Sequence, residues 1–427
     1  MNEWKHNAAA YFERYEKPKS AHTLGVEVEH FILDAQGKSV DYAGECGVRT
    51  VLEKLMHLYP QAEVLADDAF FGFKVPDFNI TLEPAAQLEI SIAPRESVAE
   101  ICTIYEDFLL HLHRVLEPLG YRVCYAGYRP QDKAESLALI PKRRYALMDA
   151  YFKDCGSGGV QMMRGTASVQ VSVDYTSRED FRRKIQAAYY YAPLLKLLCD
   201  NVPHFEGAPC HTHLKRTDIW RRVDSARCGI LPGIFSPNYD YENYIDFLAA
   251  MPPIFLKTGE QIEPTGKQTV ETLFANRQMS EAALEHILSM AFPDVRLKQF
   301  LEIRVADAVP MPFIVAYTAL IKGLLYTQDS LDFVQTRLRE QVLCESDIIR
   351  AEDDIMQNGW GAQIYGMPVA EFSETVLTMA QCALPESEQP LVNVWRAVAA
   401  CGGIANLSPA HLSALRKTTF QKEIKLK

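Results

Sequence analysis

The residues able to do chemistry in this chain are carboxylates and arginines set into short alternating segments. In Leu24-Gly25-Val26-Glu27-Val28-Glu29-His30-Phe31, acidic and aliphatic residues take turns. A β-strand points successive side chains to opposite faces, so Glu27 and Glu29 project together while Val26 and Val28 point the other way. Two like charges on one half-buried face are unfavourable unless a cation, an arginine or water compensates them. A solvated outer face would satisfy an isolated Glu-x-Glu. Here the pattern recurs at three further places, which points to a hard metal ion.

Residues 80–92 carry Glu83 before a proline and Glu89 within Leu88-Glu89-Ile90-Ser91-Ile92, where Gln87, Glu89 and Ser91 share a face. Pro84 interrupts the ladder, so Glu83 is expected at a strand end or a bend. Residues 301–305 set Glu302 and Arg304 on one face against Leu301, Ile303 and Val305. A purely structural ion pair would suit them, and so would a carboxylate holding a cation beside an arginine holding phosphate. The most regular stretch is 162–174, where Arg164, Thr166, Ser168, Gln170, Ser172 and Asp174 alternate with small apolar residues. It predicts one antiparallel strand covered on one side. Glu27, Glu29, Glu83, Glu89 and Glu302 are too many for one acid–base pair. They suit two or more magnesium ions, which take oxygen ligands and bind nucleotide phosphates. Arg164, Arg216 and Arg304 supply the positive charge that phosphoryl transfer and carboxylate recognition require.

The 427 residues that must position these groups suffice for about two to three average domains or one large one. With 48% hydrophobic and 23% charged residues the composition is globular. A formal net charge of −11 argues against a nucleic-acid partner, although a nucleotide can still be held through metal ions and a few arginines. No apolar stretch approaches the roughly 20 residues of a membrane span. Met1-Asn2-Glu3-Trp4-Lys5-His6 lacks the basic start and apolar run of a signal peptide, so a cytoplasmic protein without membrane partners is expected. The ten cysteines form no C-x-x-C pair and read as reduced thiols.

Helical spacing predicts helices over 3–17, 97–118, 142–152 and 178–199, and one through Val51, Leu52, Leu55 and Leu58. Arg144 falls on the third of these. Cys155-Gly156-Ser157-Gly158-Gly159 lacks the remainder of a P-loop and reads as a turn. Residues 200–240, rich in proline, glycine and histidine, read as a long structured loop of the kind that usually serves function, and they carry Arg216 and Trp220. Cys210, His211 and His213 lack a second ligand pair at zinc spacing. Beyond Pro312 helices are expected near 313–326, 329–358, 368–383, 388–401 and 408–425, with no chemistry visible in them. The implied organisation is a catalytic core over 1–310 with a helical region over 311–427 against it as one compact unit. Four half-polar strands of this kind form an α+β fold, an antiparallel sheet backed by helices whose free face curves around a charged cavity.

The ordered set of segments resembles the glutamate–cysteine ligases of the plant and proteobacterial type, within the carboxylate–amine ligases that include glutamine synthetase. The resemblance rests on Gly25-Val26-Glu27-Val28-Glu29, Leu82-Glu83-Pro84-Ala85-Ala86-Gln87-Leu88-Glu89, Met163-Arg164-Gly165-Thr166-Ala167-Ser168-Val169-Gln170-Val171, residues 216–220 and 227–232, and Phe292-Pro293-Asp294-Val295-Arg296 running into Leu301-Glu302-Ile303-Arg304. It spans about residues 24–310. It implies a six-stranded, funnel-shaped antiparallel sheet with ATP and metal ions at its centre. It further implies that ATP phosphorylates the side-chain carboxylate of glutamate and that the amine of cysteine attacks the acyl phosphate. Glu27, Glu29, Glu83, Glu89 and Glu302 then look like metal ligands. Arg304 and Gln170 look like nucleotide contacts, with Arg304 stabilising the transferred phosphoryl. Arg164, Arg216 and Arg144 look like contacts to substrate, and Thr166 and Trp220 line the pocket. The sequence departs from the family pattern at Ala85, Ala86 and Val305, where glycines are usual, and at Asp218, where histidine is frequent. These departures bear on the acceptor, so another amino acid or peptide substrate is the alternative. A nucleotide-binding regulator without turnover is a third reading.

Overall fold

The alternating segments form nine strands in the computed structural model, which describes residues 3–66, 69–258 and 261–419. They are β1 (Leu24–Leu33), β2 (Glu63–Ala66), β3 (Phe70–Val75), β4 (Phe78–Leu82), β5 (Leu88–Arg95), β6 (Arg122–Cys124), β7 (Ser168–Val173), β8 (Val295–Leu297) and β9 (Leu301–Asp307). One antiparallel sheet results, in the order β8-β9-β7-β1-β5-β4-β3-β2, with β6 paired to the far end of β1. Six strands have five to ten residues and make the expected antiparallel core. The other three have only three or four residues and extend it.

The aliphatic halves of the strands decide which face is buried. Val26, Val28, Ile90, Val169, Val171 and Ile303 are all at most 1% exposed. Each such side chain contributes roughly 1.5–3 kcal/mol of burial. The helices α3 (Val98–Leu116), α6 (Arg178–Leu198) and Phe313–Leu325 lie against β5, β9 and β7. Ser97 starts α3 with a capping box, in which Glu100 answers the serine. The same hydrophobic cluster runs from Trp4 to Leu407, through both the sheet and the C-terminal helices. Among the described residues no helix is long and apolar enough to cross a membrane.

Three local expectations change. The regular period over 162–174 does not make one strand: Gly159–Gly165 is a short helix, α5, and β7 begins at Ser168. The glycines ahead of α5 allow this close approach. A Cβ on Gly156 or Gly158 would collide with the carbonyl oxygens of Arg222 and Ile219, and the Gly158 N–H donates to the Arg222 carbonyl at 2.9 Å. Residues 200–240 are less loop-like than expected, because Lys215–Arg221 forms helix α7 on that glycine seat. Finally, 329–358 divides into Gln328–Gln341 and Glu345–Asn358, since Val342 adopts a left-handed φ of 49°. Asp347 then accepts the N–H of Cys344 and restarts the helix.

Candidate active site

The polar face of the sheet carries a row of carboxylates. Strand register pairs Glu29 directly with Glu89 and sets Glu27 between Gln170 and Ser91. Opposed residues on neighbouring antiparallel strands hold their Cβ atoms about 4.5–5.5 Å apart, so two charges face each other on this ledge. Glu29 accepts the Ser168 N–H at 2.8 Å, the Ser168 hydroxyl at 3.1 Å and the Gln170 amide at 3.3 Å. Glu89 accepts hydroxyls from Thr81 at 3.0 Å and Ser91 at 3.3 Å. Burial and the neighbouring Glu83 push the Glu29 carboxyl up to about 7. Burial, with Glu27, Glu83 and Glu29 around it, raises Glu89 well above the usual carboxylate range, and burial with Glu302 nearby raises Glu27. The row is therefore short of positive charge. Among the described residues no three His, Cys, Asp or Glu side chains form a ready metal cluster.

Glu83 lies just past the end of β4, at the bend expected from Pro84. Its N–H donates to Gln87 O and its carbonyl accepts from Ala86 N, both at 2.9 Å. Ala86 takes a φ of 61°, a conformation natural to glycine. Below this turn, buried Gln87 donates to the carbonyls of Met163 and Thr166 at 3.2 Å each. Arg129, which gave no signal in the sequence, is 1% exposed and donates to the carbonyls of Ala85 and Arg164. It thereby joins the Glu83 turn to the end of α5.

On the other side of the ledge, β9 pairs with β7 through a bulge. Ile303 faces Val171 and Ala306 faces Val169, so Arg304 and Val305 together oppose the single Gln170. A bulge re-aims side chains and frees backbone groups. Both effects are seen. Arg304 donates to Gln170 and, at 2.9 Å, to Glu302, while its N–H donates to the Asp294 carbonyl at 3.0 Å. Gln170 thus bridges Glu29 and Arg304. Glu302, expected among the metal ligands, has both oxygens taken by cations: Arg296 at 2.6 Å, Arg304 at 2.9 Å and Lys298 at 3.1 Å. Against the cost of its burial these three hold its carboxyl well below the usual range. Arg296 and Lys298 follow from strand β8 and its turn, and only the pairing of β8 with β9 brings them to Glu302.

The bulge opens onto a cavity of about 310 Å³ lined by Arg216, Trp220, Cys228, Phe292, Arg304 and Val305, and also by Glu345, Ile349 and Glu352. Those last three lie on one stripe of the helix Glu345–Asn358. Of the four cations at this cavity, Arg216 alone has no carboxylate within ion-pair distance among the described residues; Lys196, Arg221 and Arg304 are all paired. Its terminal nitrogens donate only to the Arg304 carbonyl, at 3.2 Å, and its Nε has no hydrogen-bond partner. Burial lowers its guanidinium from the ordinary value in spite of Asp307 and Glu29 nearby. Trp220 stacks near it, 5.6 Å from ring centre to guanidinium.

Other expected contacts lie elsewhere. Arg164, placed on α5 instead of a strand, is committed to Asp149 at 2.6 Å and the Leu137 carbonyl at 2.8 Å. Its guanidinium ties α5 to helix α4 (Arg143–Lys153) rather than opening to substrate. Arg144 donates to Ser289, through the hydroxyl at 3.0 Å and the carbonyl at 2.8 Å, and burial lowers it although Glu83 attracts it. The buried Thr166 hydroxyl closes the end of α5 by donating to Met162 O at 2.7 Å. Asp218 pairs with Lys215 and Arg222 and does not line the cavity. His213 bonds Asp200 at 2.7 Å, away from Cys210.

Fold and site together are an antiparallel sheet backed by helices, with a row of carboxylates on its polar face flanked by arginines. The structure of the glutamate–cysteine ligase of Francisella tularensis in complex with AMP shares this fold, with a TM-score of 0.58 at 9% identity, covering 93% of this chain and 87% of that one. In sequence, the family model described as glutamate–cysteine ligase family 2 matches residues 23–351. The chain is 27% identical over 428 residues to glutamate–cysteine ligase A, chloroplastic, of Oryza sativa subsp. indica, covering 98% of this chain and 86% of the relative. It is 30% identical over 349 residues to glutamate–cysteine ligase, chloroplastic, of Arabidopsis thaliana, covering 80% and 66%. The chain belongs to glutamate–cysteine ligase family 2.

Proposed function

We propose that the chain joins the γ-carboxylate of glutamate to the amine of cysteine at the expense of ATP. The observation that carries this reading is the juxtaposition, on one sheet face, of four crowded carboxylates with Arg304 and with an Arg216 guanidinium left without a counter-ion. The γ-phosphoryl passes to the glutamate side-chain oxygen as its bond to ADP breaks. The amine nitrogen then attacks the acyl carbon and phosphate leaves. Arg304, braced by Glu302 and Gln170, faces the charge spread over the transferring phosphoryl. Arg216 holds a substrate carboxylate. The all-oxygen donor set of Glu27, Glu29, Glu83 and Glu89 fits a hard divalent ion, and magnesium held there supplies charge neutralisation for the nucleotide phosphates. Glu302 is better read as the anchor of Arg304 than as a ligand, because three cations already occupy it. Amines attack acyl phosphates readily, so the remaining task of the walls is to align the two and exclude water. All ten cysteines are free thiols, in keeping with work in a reducing compartment such as the cytoplasm.

Phosphate release with ATP, magnesium and glutamate, adding each amino acid in turn and identifying the product by mass, tests the reading. Stimulation by cysteine supports it; stimulation only by another amine keeps the chemistry and replaces the acceptor; silence with every amine sinks it. Arg304→Ala is expected to abolish product in a folded protein, and unchanged turnover would remove Arg304 from the phosphoryl site.

A further inference from the structure

The helix Glu345–Asn358, in a region where the sequence shows no chemistry, sends one fully buried carboxylate to the cavity beside Arg216. Glu352 is 1% exposed. One of its oxygens accepts from Lys196 Nζ and the other from Arg221, each at 2.6 Å. Lys196, itself buried on α6, also reaches the Asp294 carboxylate at 2.7 Å. The backbone carbonyl of that same Asp294 receives the N–H of Arg304. Arg221 belongs to α7, which also carries Arg216 and Trp220. One carboxylate therefore connects the helix bearing Arg216 to the residue that seats Arg304, and it lines the same cavity as both.

Charge gives this connection a second consequence. Lys196 also pairs with Asp294, and Arg221 with Asp353. Without Glu352 each would keep one counter-ion and lose the other, leaving the cavity one negative charge poorer and both cations better able to compete with Arg216 for an anion. Buried charges are costly unless paired, and a carboxylate with two donors takes up both. With Glu352 in place, Arg216 is the cation of this cavity without a carboxylate partner among the described residues.

We propose that Glu352 is a positioning residue for the ligation site: it silences Lys196 and Arg221, so that the carboxylate of a substrate amino acid docks on Arg216, and it fixes α7 against Asp294. The substrate part of this inference rests on the ligase reading above. The charge part does not, and the experiment separates them. Inorganic sulfate is titrated calorimetrically into the full-length native chain, Glu352→Gln and Arg221→Gln, and KM and kcat are measured for the same three proteins. In Glu352→Gln, Lys196 and Arg221 keep only Asp294 and Asp353, and the lost negative charge should tighten sulfate binding by roughly tenfold and, by drawing the substrate carboxylate away from Arg216, lower kcat more than it raises KM. Arg221→Gln should move sulfate affinity the opposite way. There the unspent charge of Glu352 weakens sulfate roughly threefold and raises KM, and this variant, altered at the cavity mouth, serves if the buried one does not fold. Sulfate affinities that are unchanged, or that move in the same direction in both variants, overturn the inference. Sulfate shifts of opposite sign in a chain that ligates no amine uphold the charge role and defeat only the ligase reading.

Discussion

Replacing Arg216 by methionine should cost activity without costing stability, and the structure supplies both sides of the comparison. The side chain is 7% exposed, bears a charge, and pairs with no carboxylate among the described residues. Its two 3.2 Å bonds to the Arg304 carbonyl contribute about 0.5–1.5 kcal/mol each, and that carbonyl loses both in the variant. Against this stands the burial of an unpaired guanidinium, a penalty of several kcal/mol that the variant escapes. The lowered pKa of Arg216 has the same meaning: the folded state disfavours its charge even with Asp307 and Glu29 nearby. Methionine has a similar length and fills the same space. The two effects roughly offset, so the melting temperature should stay level or rise. Substrate binding has no such offset. A charge-assisted bond to a carboxylate is worth about 1.5–3 kcal/mol, so KM for the amino-acid substrate that docks there should rise roughly 10- to 150-fold. Thermal unfolding and steady-state kinetics on one preparation decide the matter. A clear drop in melting temperature with KM unchanged would show Arg216 to be structural and refute the assignment.

Three further outcomes follow from the same geometry. Glu302→Gln removes the shared partner of Arg296, Lys298 and Arg304 and should destabilise the protein by about 3–5 kcal/mol in denaturant unfolding; a loss below about 1 kcal/mol would show that the cations find other partners. In metal-free protein, burial raises Asp307 and Glu29 to about 7, so between their unfolded values near 4 and pH 7 the folded state holds more protons. Stability should therefore fall as pH rises through that window, by up to about 3–4 kcal/mol per group, and magnesium should restore the part due to Glu29 at pH 8; a flat profile would contradict the crowding of the ledge. Ala86→Gly relieves a side chain held at a φ of 61° and should leave stability level or raise it by about 1 kcal/mol, measured by the urea midpoint, whereas a loss would mean that the Ala86 methyl matters more than its backbone.

How much of this was readable in advance depends on whether the cause is local. The two-residue period that turns Glu27, Glu29 and Glu89 to one face is a property of the chain itself, and their strands pair as that period requires. Pro84 announces the bend at Glu83 for the same reason, since a missing N–H cannot join a ladder. Local period also misled: the polar alternation of 162–174 continues through α5, where packing of the glycines on Arg222 overrides it. Arg164 and Arg144 were legible as cations but not as spent ones, because Asp149 and Ser289 meet them only in the folded chain.

By itself the sequence determined the carboxylate face, the helices that back it and the order of segments by which the family is known. Tertiary structure alone decided which charges are neutralised and which remain available. The β9 bulge sets Arg304 and Val305 against Gln170, strand β8 delivers two cations to Glu302, and Glu352 arrives from a distant helix to occupy Lys196 and Arg221. Whether a charge is free is a property of its neighbours at a few ångströms, and those neighbours are far apart in the chain.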